Sequence, residues 1–143
     1  MHPTKHFILA GLILCASMAA ADDDALFGEV DAANQAFAKA ILANDVDYLV
    51  NDYTDDACVI APSTPRTCGK EAIRAFWTAV INSGPKDVKI VTLAVGSSSD
   101  LAHATGTLEI TGANDAVQKN NFVLVLKRIG DSWKLHLDTW TPQ

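Results

Sequence analysis

His136 and Asp138 stand two residues apart in the last apolar stretch of the chain, and an imidazole beside a carboxylate can move a proton near neutral pH. His103 and His136 are the only histidines beyond residue 21. On a strand, residues i and i+2 share a face, so His136, Asp138 and Trp140 would lie on one side together. A two-residue turn at Gly130-Asp131 would pair Val125 with His136, Val123 with Asp138 and Asn121 with Trp140. A turn centred near Asn114 would bring His103, Thr105, Thr107 and Glu109 to the same side. The chemistry then assigns His136 as acid/base and Asp138 as its orienting partner, with Trp77 and Trp140 as apolar walls. The alternative is that both histidines are half-buried sheet residues hydrogen-bonded to neighbours. His103, His136 and Glu109 or Asp138 are also suitable metal-ligand types, but no tight spacing supports a metal centre. No metal and no cofactor is expected.

The elements that must position these residues are legible from periodicity. Leu26, Val30, Ala33, Phe37 and Ile41 trace one face of a helix, after possible caps at Asp23 or Asp24. Asn44-Asp45 breaks it, and Asp45 is placed to cap a short second helix carrying Val46, Leu49, Val50 and Tyr53. Gly69 introduces a third helix whose buried face is Ala72, Ile73, Phe76, Trp77, Val80 and Ile81, and Gly84-Pro85 ends it. Strands follow over residues 88–95, 101–110, 121–129 and 133–140, separated by turn clusters of Ser, Gly, Asn and Asp. Helices first and a meander afterwards imply an α+β domain with helices on one face of a curved sheet.

The beginning of the chain points to export. Lys5 and His6 precede an apolar run over residues 7–18 and then Ala19-Ala20-Ala21, the three-part pattern of a signal peptide cleaved after Ala21. The run is shorter than the roughly 20 residues that span a bilayer. A lipid anchor on Cys15 is disfavoured because Leu14 stands where a small residue is wanted. The domain is therefore expected over residues 22–143, in the periplasm or secreted, with no membrane contact after cleavage. The formal net charge of −6 argues against a nucleic-acid partner. Cys58 and Cys68 flank a Pro62-Ser63-Thr64-Pro65 turn, so a hairpin would set the sulfurs opposite each other in a compartment that permits a disulfide. The alternative is two buried free thiols.

The order of elements, with Tyr53-Thr54-Asp55-Asp56-Ala57-Cys58-Val59, the proline–glycine hairpin from Pro62 to Gly69, and Lys70-Glu71-Ala72-Ile73-Arg74-Ala75-Phe76-Trp77, resembles the nuclear transport factor 2-like superfamily. Within it the chain is similar to ketosteroid isomerases, SnoaL-like cyclases and the domain-of-unknown-function 4440 family, the last through Phe76-Trp77, Ala102 with Gly106, and Lys127-Arg128 before Trp133-Lys134. The resemblance covers residues 25–141. It implies a cone-like fold wrapped around a small-molecule pocket, usually in dimers. It also implies an absence. Ketosteroid isomerases use a carboxylate before the hairpin proline, a tyrosine and a neutral aspartic acid, and the matching positions here are Ala61, Phe37 and Val125. None of these side chains moves a proton or donates a hydrogen bond.

By that alignment Val125 marks the pocket face, and strand parity adds Asn121 and Val123. The expected ligand-binding set is then Trp77, His103, Thr105, Glu109, Asn121, Val123, Val125 and Trp140. Asn121 could instead cap a strand end. Phe122, Leu124 and Leu126, with Trp133, Leu135 and Leu137, would lie on the other face, where a homodimer packed sheet to sheet would cover them. Three functions fit: a pocket protein that binds a small, largely apolar molecule, a proton-transfer enzyme using His136 and Asp138, or a partner-binding adaptor.

Overall fold

The computed structural model describes the backbone of residues 14–143 and the side chains of residues 23–143. The leader expected over residues 1–21 lies outside the described residues up to residue 13 and, in its side chains, throughout.

The first helix, α1 (Leu14–Ala43), is longer than expected and runs through Asp22-Asp23-Asp24 without a break. No glycine or proline stands between Leu14 and these acids, and Ala19-Ala20-Ala21 are the best helix formers, so no cap is needed there. Asp23 instead accepts a hydrogen bond from the Ser97 hydroxyl at 2.9 Å. Asp45 does cap α2 (Val46–Asn51), accepting from the Tyr48 amide at 3.0 Å. Strand β1 (Tyr53–Ile60), the two-residue β2 (Thr67–Cys68) and α3 (Lys70–Asn82) follow. The meander is β3 (Asp87–Ser98), β4 (Leu101–Thr111), β5 (Val117–Ile129) and β6 (Ser132–Pro142).

The six strands form one mixed sheet in the order β2-β1-β6-β5-β4-β3, in which only β1 and β6 run parallel. The sheet does not close, and the helices pack on its inner face. Helix α1 is tied to β3 by Asn34, whose amide donates to the Thr92 hydroxyl at 3.0 Å, and by Gln35, which donates to the Ile90 carbonyl at 2.8 Å. Cys58 and Cys68 are directly opposed across the β1–β2 hairpin and joined in a disulfide. Gly69 leads into α3 with φ 85° and ψ 152°, a conformation open only to glycine.

Two irregularities decide the site. Beyond Thr92, β3 takes in one extra residue, Leu93, and β6 does the same at His136. The Gly130-Asp131 turn pairs Ile129 with Ser132 and Leu126 with Leu135 as expected. The extra residue then sets Val125 opposite Leu137 and Leu124 opposite Asp138. The expected pairs Val125–His136, Val123–Asp138 and Asn121–Trp140 are therefore corrected to Val125–Leu137, Val123–Thr139 and Asn121–Thr141. Such a bulge bends the strand, which helps the sheet curve around the helices.

Candidate functional site

The face of the sheet that meets the helices is not the one carrying Val125. Phe122, Leu124 and Leu126 are buried, whereas Val123 is 45% exposed. Burying Phe122, Leu124, Leu126 and Leu135 removes far more apolar surface from water than burying Asn121, Val123 and Val125, and a one-residue alternation allows only one of the two sets inside. The expected pairing of β4 with β5 is observed, with His103 opposite Val125, Thr105 opposite Val123 and Thr107 opposite Asn121. That whole row points away from the helices. His103, Thr105, Glu109, Asn121, Val123 and Val125 thus lie on the outer face, and the expectation that they line the pocket is corrected.

The inner face encloses a cavity lined by Asn34, Phe37 and Ile41 of α1, Trp77 of α3, Ile90, Leu108 and Ile110 of β3 and β4, Phe122 and Leu124 of β5, and Leu135, Asp138 and Trp140 of β6. It holds about 490 Å³ of empty space including its mouth, of which about 40 Å³ can take the centre of a water molecule. Gly106 shapes the floor. A Cβ there would lie 2.0 Å from the Val91 carbonyl and 2.5 Å from the Phe122 ring, so glycine alone lets that ring lie against β4. Trp77 and Trp140 stack with centroids 6.2 Å apart, and Phe37 meets Trp77 edge-on at 5.1 Å.

Within these walls stands one carboxyl group. Asp138 Oδ2 accepts the Tyr53 hydroxyl at 2.5 Å, and Trp77 Nε1 donates to the same hydroxyl oxygen at 3.1 Å. Tyr53 and Trp77 are 1% and 4% exposed, and Asp138 is 7% exposed. Burial pushes the Asp138 carboxyl up to about 6; the Tyr53 hydrogen bond pulls it down, and the nearby Asp52 charge raises it further. Burial, with the Asp138 charge behind it, also raises the Tyr53 hydroxyl well above its usual value. Asp138 Oδ1 makes no hydrogen bond among the described residues, which leaves it for a guest. The set is a buried acid poised to titrate near neutral pH, held by a tyrosine that stays protonated.

His136 does not belong to this set. The bulge turns it to the other side of β6, where Nδ1 lies 3.0 Å from the Thr54 hydroxyl and 3.4 Å from Asp56 Oδ1. No hydrogen bond joins it to Asp138 among the described residues. Trp77, Asp138 and Trp140 are therefore brought together at the cavity, and His136 is not. The three positions matched to the isomerase triad also separate: Phe37 lines the cavity, Ala61 lies at a groove outside it, and Val125 faces outward, with Leu124 its inward neighbour. No acid stands at any of them.

Tyr53 and Asn34 are the site residues that sequence reasoning missed. Tyr53, expected on the second helix, instead opens β1, and nothing local announces that its hydroxyl reaches β6, which is 85 residues away from it at Asp138. Asn34 did leave a signal, since it falls on the stripe Val30, Phe37, Ile41 where a polar residue needs a partner. Among the described residues no cluster of histidine, cysteine and acidic side chains could hold a metal ion.

An open α+β cone whose helices and sheet enclose an apolar, acid-bearing cavity has the nuclear transport factor 2-like architecture. The family model of the SnoaL-like domain matches residues 30–137, and the chain belongs to that family. No curated protein matches the chain. Among solved structures it is similar to a ketosteroid isomerase-like protein from Erwinia carotovora (22% identity, TM-score 0.68, covering 78% of this chain and 92% of that one). It is also similar to an NTF2-like protein of unknown function from Pseudomonas putida (18% identity, TM-score 0.71, covering 82% and 87%). A candidate dehydratase of the NTF2-like family from Streptomyces avermitilis is a third (19% identity, TM-score 0.68, covering 80% and 94%). At these identities the likeness establishes the fold.

Proposed function

We propose that the chain is an exported pocket protein that takes a small, largely apolar molecule into the cavity between α1, α3 and the inner face of the sheet. The observation that carries this reading is a single buried carboxyl group, Asp138, in walls that are otherwise almost wholly apolar. Such a site rewards an apolar guest with one polar atom to meet the acid. Native mass spectrometry of protein purified from its own compartment is expected to show a bound small molecule, and Leu124→Trp, which fills the cavity, is expected to remove it. A protein that carries no guest and takes up none from a panel of small aromatic and aliphatic compounds would overturn the reading. Export is supported by the Cys58–Cys68 disulfide, which persists in oxidising compartments.

A second reading, proton-transfer catalysis, draws support from the elevated pKa of Asp138, because an acid poised near 6 is suited to general acid/base work. In it Asp138 replaces His136 as the acid/base and Tyr53 holds the carboxyl in place. Exchange of solvent deuterium into an enolisable ketone such as 4-phenyl-2-butanone, followed by NMR, tests it: exchange accelerated by the protein and lost in Asp138→Asn supports catalysis, and no acceleration leaves binding alone.

A homodimer joined through the outer face remains part of the proposal, on different residues from those first expected. Phe122, Leu124, Leu126 and Leu135 are core, but Val91 (38% exposed), Leu93 (64%) and Val123 (45%) stay open to solvent on or beside that face. Sedimentation at micromolar concentration is expected to give a dimer that Val123→Lys converts to monomer.

A further inference from the structure

We infer that the guest is an amphiphile whose apolar body fills the cavity while an uncharged, hydrogen-bonding end lies in the groove at its mouth, against Gln118 and Gln143. The inference rests on the cavity being a binding site and adds what the second half of the ligand must be. The groove adjoins the cavity, since Trp140 and Ile110 line both. They differ sharply in room. About 660 Å³ of the groove can take the centre of a water molecule, against about 40 Å³ of the cavity, so the room for a molecule longer than the cavity lies past Trp140 in the groove.

The chemistry of the wall changes along the same path. The inward residues of β5 read Gln118, Asn120, Phe122, Leu124, Leu126, with the two amides at the groove and the apolar three beyond them. Pushed inward past Phe122, a polar ligand end would lose its water and find only Asp138 unengaged, whereas at the groove it meets amides and hydroxyls. Asn120 is occupied within the protein, donating to the Leu108 carbonyl at 3.4 Å. Gln143 donates to the Asn120 carbonyl at 3.5 Å and to Asn121 Oδ1 at 3.1 Å, while its carboxamide oxygen has no partner among the described residues. Gln118 has no side-chain partner among them either. These two amides, with the Ser63 hydroxyl, are the groups left to meet a ligand.

The groove is also electrically quiet. No aspartate or glutamate lines it, although the chain carries a net charge of −6, and its one basic side chain, Lys119, lies 3.4 Å from Glu109. An anionic end would compete with Glu109 for Lys119 and a cationic end meets no acidic side chain in the lining, whereas a hydroxyl or carbonyl finds donors and acceptors at the amides.

Calorimetry on the full-length protein with four compounds of one body separates the possibilities: butylbenzene, 4-phenyl-1-butanol, 4-phenylbutyrate and 4-phenylbutylammonium. The alcohol is expected to bind about 3- to 10-fold more tightly than butylbenzene, the equivalent of one net hydrogen bond, and more tightly than either ion. Gln118→Ala with Gln143→Ala is expected to erase that preference while butylbenzene, which has no polar end, still binds. Equal affinity for alcohol and hydrocarbon, a preference for either ion, or a preference that survives the double variant overturns the inference while the cavity reading stands. Failure of every compound to bind overturns both.

Discussion

Two small clusters of proton-bearing side chains sit back to back across β6, and they behave oppositely. Inside, Tyr53, Asp138 and Trp77 form a hydrogen-bonded chain sealed by aromatic rings. Outside, His136, Thr54 and Asp56 make similar contacts at 3.0 to 3.4 Å, with Asp56 open to solvent. The inner carboxyl is raised to about 6, chiefly by burial. The outer one is lowered, chiefly by the Thr54 hydrogen bond. Residue type is therefore a poor guide to which cluster can do chemistry. What separates them is whether the sheet turns a group toward the helices or toward solvent, and water screens the second arrangement into near irrelevance.

Four measurements test this contrast, in decreasing size. Trp77→Ala opens the core and removes a donor from Tyr53, and chemical denaturation is expected to show a loss of about 3 to 5 kcal/mol. Next comes pH. The Asp138 carboxyl binds its proton more tightly folded, at about 6, than at the ordinary 3.8, so its stabilisation is complete below about pH 4 and is lost as pH rises through about 6. The loss is on the order of 3 kcal/mol, and Asp138→Asn is expected to remove this pH dependence while keeping an acceptor for Tyr53. Tyr53→Phe is expected to destabilise by about 1 to 3 kcal/mol. Because the Tyr53 hydrogen bond lowers the Asp138 pKa, the same variant should move that pKa above its present value, as read by carbon NMR of the carboxyl. The smallest effect belongs to the outer cluster. His136→Ala is expected to change stability by less than about 1 kcal/mol and leave ligand affinity untouched. A His136 variant as damaging as Trp77→Ala would dissolve the distinction.

Several features were readable along the chain because they depend on near neighbours. Asp45 caps α2, and Gly69 precedes α3 in a conformation that needs glycine. Cys58 and Cys68 meet because a short turn between two strands leaves them opposite. The same local logic paired β4 with β5 correctly. It failed at β6, where a single extra residue at His136 shifts the pairing by one and sends the histidine outward while Asp138 turns in. No turn signal or periodicity marks that bulge. It also failed in naming the inner face, although the bulk of Phe122, Leu124 and Leu126 against Asn121, Val123 and Val125 already weighed toward the answer.

What the sequence determined by itself was the inventory of elements, the hairpins and the disulfide, all of which follow from dihedral preference and contacts across a few residues. The partnership of Tyr53 with Asp138, and with it the acid that titrates near 6, was decided only when β1 came to lie beside β6 under α3. Desolvation is a property of the surroundings in three dimensions. A carboxylate in a string of letters carries no record of how much water it will keep.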